Sequence, residues 1–207
     1  MNKILLVLSS PRGDASHSTR VARELVRSLT ANDPTADVVV RDLAASPLPH
    51  LDGGFLAALH TDAAARTTAQ AEAVAGADSL VAELLAAETL VIASAMINFA
   101  PASTLKSWFD NLLRAGVTFR YDEAGPQGLV TGKKVYVVAA QGNIYSQGPA
   151  KPFDFQVPYL KHVLGFMGMT DVEVIAIEGV AFGPDVAEKA VQAALERVSS
   201  VPALAAA

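Results

Sequence analysis

Two hydroxyl clusters lie a few residues apart near the start of this chain: Ser9 and Ser10 close the run KILLVLSS, and Ser16, His17 and Ser18 open a stretch with helical apolar spacing. The loop between them holds Pro11 and a single glycine, Gly13. A strand that ends in hydroxyls and feeds a helix presents free backbone N–H groups and the positive end of a helix dipole. That is chemistry for an anion, with phosphate first. Neither G-x-G-x-x-G nor G-x-x-x-x-G-K-[ST] occurs in the chain, so a dinucleotide Rossmann site and nucleotide hydrolysis both lose ground. What remains is a cradle of Ser10, Ser16, His17 and Ser18 for a terminal phosphate monoester. An ordinary helix cap by Ser16 or Ser18 is the alternative.

Two further loops carry residues that suit a flat heteroaromatic ring. SAMINFAPAS offers Met96, Ile97 and Phe99 with the amide of Asn98, and AAQGNIYSQGP offers Ala140, Gln141, Gly142 and Asn143 with accessible backbone. Taken singly, Met96 and Phe99 read more readily as core residues than as ligand contacts. One phosphate cradle beside two ring-sized loops describes a mononucleotide with a large base, provided the fold brings the three together.

The elements around them do predict such a fold. KILLVLSS, ADVVVRDL, ETLVIASA, KKVYVVAA and DVEVIAIE are short, bounded and continuously apolar, as strands buried on both faces of a parallel sheet must be. Helical patterns separate them. Val21, Leu25 and Leu29 form a stripe opposite Arg20, Arg23, Glu24 and Arg27. Thr67 and Gln70 stand at capping-box spacing ahead of Val74, Ala77, Val81 and Leu84. A third helix carries Leu105, Trp108, Phe109 and Leu112, a fourth lies near FQVPYLKHVLGF, and a fifth starts at Pro184. Five strands alternating with five helices predict an α/β doubly wound sandwich with strand order 2-1-3-4-5, whose ligand sits at the switch point between the first and third strands. Residues 1–200 read as one such domain and 201–207 as a frayed tail. The Pro- and Gly-rich insertion over 43–66 suggests a lid or a contact between two copies.

Composition excludes several classes. A net charge of −5 with no basic block disfavours nucleic acid and anionic membranes as partners. The absence of cysteine removes disulfides, thiolate metal sites and a cysteine nucleophile. His17, His50, His60 and His162 show no metal-ligand spacing, and His162, inside a helical pattern, reads as structural. No nucleophile elbow is present. The short apolar run after Lys3 is too brief for a signal peptide or a span, so a cytoplasmic protein is expected.

VLSS followed by ASHST, MINF followed by LKSWFDNLLRAGVTFRY, then GPQGLVTGKK and YLKHVLGFMGMTDVEVIAIEG, together resemble the FMN-dependent NADH-azoreductases of bacteria over nearly the whole chain. The resemblance implies a flavodoxin-like fold, a homodimer, and FMN passing electrons from NADH or NADPH to quinones and azo compounds. It places Ser10, Ser16, His17 and Ser18 on phosphate and ribityl positions. Met96, Ile97, Asn98 and Phe99, with Ala140, Gln141, Gly142 and Asn143, fall on isoalloxazine positions. Two departures stand out: the family's usual M-Y-N-F has isoleucine at position 97, and its usual hydroxyl and basic residue in the fourth-strand loop are Ala140 and Gln141. These bear on nicotinamide preference and dye range.

In such a protein the flavin N5 carries the hydride, no side chain need be catalytic, and one site alternating between donor and acceptor gives ping-pong kinetics. Backbone N–H groups of the QGN loop could stabilise negative charge on the ring. Tyr121, ending VTFRY, could line the site from the side or from a second subunit, or belong to a hairpin core. A flavodoxin-type electron carrier and a phosphate-binding hydrolase are the competing readings. The apolar FMGM and VAFG segments offer surface for the homodimer.

Overall fold

The computed structural model describes residues 2–205. Its element order is β1 (Lys3–Leu8), α1 (His17–Leu29), β2 (Asp37–Asp42), α2 (Gly53–Leu59), α3 (Thr68–Ala86), β3 (Thr89–Ile97), β4 (Ala100–Pro101), α4 (Ser103–Leu112), β5 (Phe119–Asp122), β6 (Gly125–Gly128), β7 (Lys134–Ala140), α5 (Val157–Phe166), β8 (Asp171–Ile177) and α6 (Pro184–Ser199). The main sheet has the order β2-β1-β3-β7-β8 with every pair along it parallel. This is the expected 2-1-3-4-5 order, with the chain reversing direction between β1 and β3. Two small additions accompany it: β4 folds back on the end of β3, and β5 pairs with β6 as a separate hairpin.

Strand side chains alternate between faces, and the core divides accordingly. Leu5, Val7, Leu90, Ile92, Val135 and Val137 face α3, α4 and α5, where Leu84, Trp108, Phe109 and Leu164 meet them. Ile4, Leu6, Leu8, Val91 and Val138 face α1 and α6, packing on Val21, Leu25, Leu29, Val191 and Val198. The stripe on α1 and the capping box of Thr67 and Gln70 both form as their spacing predicts.

Three expectations need correction, and the insertion gains detail. β2 is not buried on both faces, because it is the sheet edge and leaves Val38, Val39 and Val40 36–50% exposed. The insertion contains a helix of its own, α2, which packs on α3, and Ser107 of α4 donates to the Pro49 carbonyl. The insertion is therefore fastened to the sandwich through α2 and Pro49, and Ala44 at its start lines a cavity at the strand ends. Met167 and Met169 of FMGM are core residues at 0% exposure and form no surface. Residues 201–205 are docked, not frayed: Val201 is buried and the Leu204 N–H donates to the Leu29 carbonyl at 2.9 Å. Residues 206 and 207 of that predicted tail lie outside the described part. No described helix is long and apolar enough to cross a membrane.

Candidate functional site

All five parallel strands end on one edge of the sheet, so the loops leaving β1, β3 and β7 stand side by side. Ser9 ties the first two together, its hydroxyl donating to the Ala93 carbonyl at 2.9 Å. Ser9, Pro11, Ala44, Ile97, Ala102, Ser103 and Thr104 line a cavity of about 270 Å³ at this switch point.

The first loop turns tightly, with Gly13 N–H donating to the Ser10 carbonyl at 3.1 Å and Gly13 at φ +53°, and delivers the chain into α1. Neither Ser16 nor Ser18 caps that helix. Their hydroxyls lie 3.0 Å from each other, buried, which removes the ordinary-cap alternative. The first bond of the helix runs from Arg20 N–H to the Ser16 carbonyl. The N–H groups of His17, Ser18 and Thr19 therefore have no partner among the described residues, as a helix start requires. Arg20 is engaged elsewhere, paired with Glu188 through both guanidinium nitrogens at 3.1 and 3.3 Å. That bond, followed by one from Gln192, holds the Glu188 carboxyl below its usual range. Positive potential at the loop thus comes from the helix end and from Arg12, which is exposed in the loop and forms no ion pair among the described residues.

The second loop is a two-residue β-hairpin turn. Ile97 pairs with Ala100 and Met96 with Pro101, leaving Asn98 and Phe99 at φ +47° and +74°. Such turns require positive φ at both central positions, which Asn tolerates and phenylalanine does not. The turn holds Phe99 half exposed, with Phe153 6.4 Å away and Phe155 donating its N–H to the Phe99 carbonyl at 3.0 Å. Phe153 and Phe155 are also more than half exposed. Beside them a second cavity, about 380 Å³ and lined by Ala100, Pro101, Lys106, Asp154, Phe155, Pro158 and Tyr159, opens on the same edge.

The third loop is laced to the exit of β8. Val180 donates to the Gln141 carbonyl, Ala181 to that of Gly142 and Gly179 to that of Asn143, at 3.0–3.2 Å. The N–H groups of Gly142 and Asn143 have no partner among the described residues. Gln141 is 2% exposed and its Nε2 is unpartnered, as is the buried hydroxyl of Thr19. Buried polar groups seldom lack partners. Gln141 is one of the residues expected to meet a ligand and Thr19 directly follows Ser18, which is another; both are donors that a phosphate and a carbonyl-bearing ring would satisfy.

The structure thus brings Ser10, Ser16, His17 and Ser18, Met96 to Phe99, and Ala140 to Asn143 to one sheet edge. Tyr121 is not brought there within its own chain. The hairpin of β5 and β6 is rooted where Gly128 presses on Gly168, close enough that a Cβ on Gly128 would lie 2.1 Å from the Gly168 nitrogen. Gly168 lies in the short connection from α5 into the start of β8, so this root lies at the opposite edge of the sheet. Tyr121 stands 70% exposed there, edge-on to Phe119. His162 lies on the exposed side of α5, and no cluster of three or more potential metal ligands occurs among the described residues. Sequence reading missed Thr19, Phe153, Phe155 and Glu178. An FDF doublet in a Pro-bounded loop was the visible signal for the two phenylalanines.

Known proteins share this fold. A family model described as flavodoxin-like fold matches residues 2–201. An FMN-dependent NADH:quinone oxidoreductase 1 of Rhizobium etli is 57% identical over 201 residues, covering 97% of this chain and 98% of that protein. Among solved structures, an azoreductase from Bacillus anthracis str. Sterne superposes with a TM-score of 0.87 at 32% identity, covering 96% of this chain and 97% of the other. An FMN-dependent NADH-azoreductase from Bacillus anthracis str. Ames Ancestor, solved in complex with FMN, gives 0.86 at 25% identity over 96% and 98%.

Proposed function

This chain belongs to the family of flavodoxin-like fold, and from that membership we propose that it is an FMN-dependent NAD(P)H oxidoreductase reducing quinones and azo compounds. The observation that carries the reading is the meeting of an uncapped helix start, lined by three buried hydroxyls, with two loops whose free donors and half-exposed aromatics suit a planar ring. Relatives named for NADH:quinone oxidoreduction and for azo reduction support the substrate classes.

The N–H groups of His17, Ser18 and Thr19, with the hydroxyls of Ser10, Ser16 and Ser18, would hold the FMN phosphate. Met96, Ile97, Asn98 and Phe99, with Ala140, Gln141, Gly142 and Asn143, would border the ring. Bound FMN supplies the redox chemistry, taking a hydride from the nicotinamide and delivering two electrons to the acceptor. The chain's part is positional and electrostatic: Gly142 and Asn143 N–H groups favour negative charge on the ring, and Phe99, Phe153 and Phe155 offer stacking surface that keeps water off. One site serving donor and acceptor in turn is a ping-pong arrangement. Because Phe99, Phe153 and Phe155 are each more than half exposed beside the site, we place a homodimer contact over this edge, with the partner copy bringing its Tyr121 to line the site. NADH supply places the work in the cytoplasm.

The test is direct. Heat-released cofactor from purified protein should chromatograph as FMN, and the holoprotein should oxidise NADH at steady state when given a quinone. FMN binding without NADH oxidation would leave an electron carrier, and protein without flavin affinity would remove the reading altogether.

A further inference from the structure

Glu178 directly follows β8 and forms no ion pair among the described residues. Its carboxylate is spent on the loop leaving β7. Oε1 accepts the N–H of Tyr145 at 2.5 Å and of Ser146 at 2.7 Å, while Oε2 accepts the Ser146 hydroxyl at 2.6 Å. All three are charge-assisted bonds; the two to Ser146 fall within the short range such bonds occupy, and the one to Tyr145 is shorter still. One side chain therefore closes the far end of a loop whose near end is laced to the β8 exit by the carbonyls of Gln141, Gly142 and Asn143.

Peptide planarity gives this lacing a direction. In a trans peptide the C=O of one residue and the N–H of the next point opposite ways. With the Gln141 and Gly142 carbonyls turned toward Val180 and Ala181, the N–H groups of Gly142 and Asn143 are turned away from the β8 exit. They keep that direction only while the loop stays folded against β8. The lacing bonds are long, up to 3.2 Å, whereas the Glu178 bonds are shorter, and only the exposed Ile144 lies between the two attachment points.

We propose that Glu178 is a positioning residue of the flavin site: its carboxylate pins Tyr145 and Ser146 and so holds the Gly142 and Asn143 N–H groups in place for the ring. This rests on the FMN reading above and adds to it a side chain that touches neither flavin nor substrate. A carboxylate suits the task because it offers two acceptor atoms. Glutamine keeps one, enough for the two backbone N–H groups, and alanine keeps none.

The test compares Glu178→Ala, Glu178→Gln and Ser146→Ala, each as apoprotein titrated with FMN by flavin fluorescence. Amide hydrogen exchange at Tyr145 and Ser146 and thermal melting are followed alongside. Glu178→Ala should weaken FMN binding by about tenfold or more and speed exchange at those two amides, with the melting temperature of the apoprotein little changed. Glu178→Gln should recover most of both, and Ser146→Ala should fall between. FMN affinity in Glu178→Ala equal to wild type would overturn the proposal. Weakened affinity without faster exchange, or a Glu178→Gln protein as impaired as Glu178→Ala, would equally overturn it, since the effect would then belong to charge rather than to the clamp. If Glu178→Ala does not fold, the Ser146→Ala and Glu178→Gln comparisons decide. Wild-type protein that binds no FMN would instead remove the flavin reading, and the exchange measurements would still show whether Glu178 clamps the loop.

Discussion

The Ser16 and Ser18 hydroxyls lie 3.0 Å apart, buried, at the start of a helix that neither of them caps. Two hydroxyls that satisfy each other while leaving the helix N–H groups free are arranged for a third, anionic partner rather than for the fold. Replacing both by alanine should cost FMN binding on the order of 3 kcal/mol, or about 100-fold in Kd. The circular dichroism and melting of the apoprotein should scarcely change. A fluorescence titration giving wild-type affinity would show that the pair serves packing alone.

Phe99 occupies a turn position at φ +74° that favours glycine. A side chain in the left-handed region costs roughly 1–2 kcal/mol, so Phe99→Gly should be more stable than Phe99→Ala by about 1 kcal/mol. For a chain of this size that is roughly 2–4 °C in Tm. This reverses the usual order, in which glycine is the less stable of the two. Both variants lose the ring, so acceptor turnover should fall equally in both. Differential scanning calorimetry that ranks alanine above glycine would mean the turn relaxes in solution.

Tyr159 is edge-on to Phe109 and lines the larger cavity. Burial first, and the Asp110 carboxylate second, push its phenol up to about 12. A phenol raised above its unfolded value, roughly 10, holds its proton more tightly in the folded state. Its contribution is complete below the unfolded value and is lost as pH climbs through 12. Stability to urea should therefore fall between about pH 10 and 12, and Tyr159→Phe should flatten that fall. An unchanged slope in the variant would assign the alkaline loss to other groups, Tyr136 first, whose phenol burial also raises.

Local rules carried the sequence reading where partners were near. Thr67 and Gln70 are three residues apart, and their reciprocal capping box needed nothing else to be seen. The strand order and the three convergent loops followed from alternation of elements and the switch-point rule. What escaped depended on distant neighbours. Val38, Val39 and Val40 look like a central strand, yet nothing pairs with their far side. Met167 and Met169 read as surface until Gly168, at φ +103° against Gly128, turns them inward. Glu178 is an ordinary acid in the sequence because its partners are 32 and 33 residues upstream.

Ile97 is 41% exposed in the wall of the switch-point cavity. It sits one residue before the turn that presents Phe99 and one strand away from Ser9. An aliphatic side chain there offers an acceptor neither a hydroxyl nor a π-face. Acceptors that would stack or hydrogen-bond at this position lose about 1 kcal/mol of transition-state binding, while apolar quinones lose little. Quinone reduction should accordingly be faster than azo reduction in the wild type. Ile97→Tyr should shift the ratio of the two kcat/KM values toward azo dyes by about fivefold, with FMN affinity titrated alongside to separate an acceptor effect from a change at the flavin. Both efficiencies measured at saturating NADH decide the matter, and an unchanged ratio would show that residue 97 faces away from the acceptor.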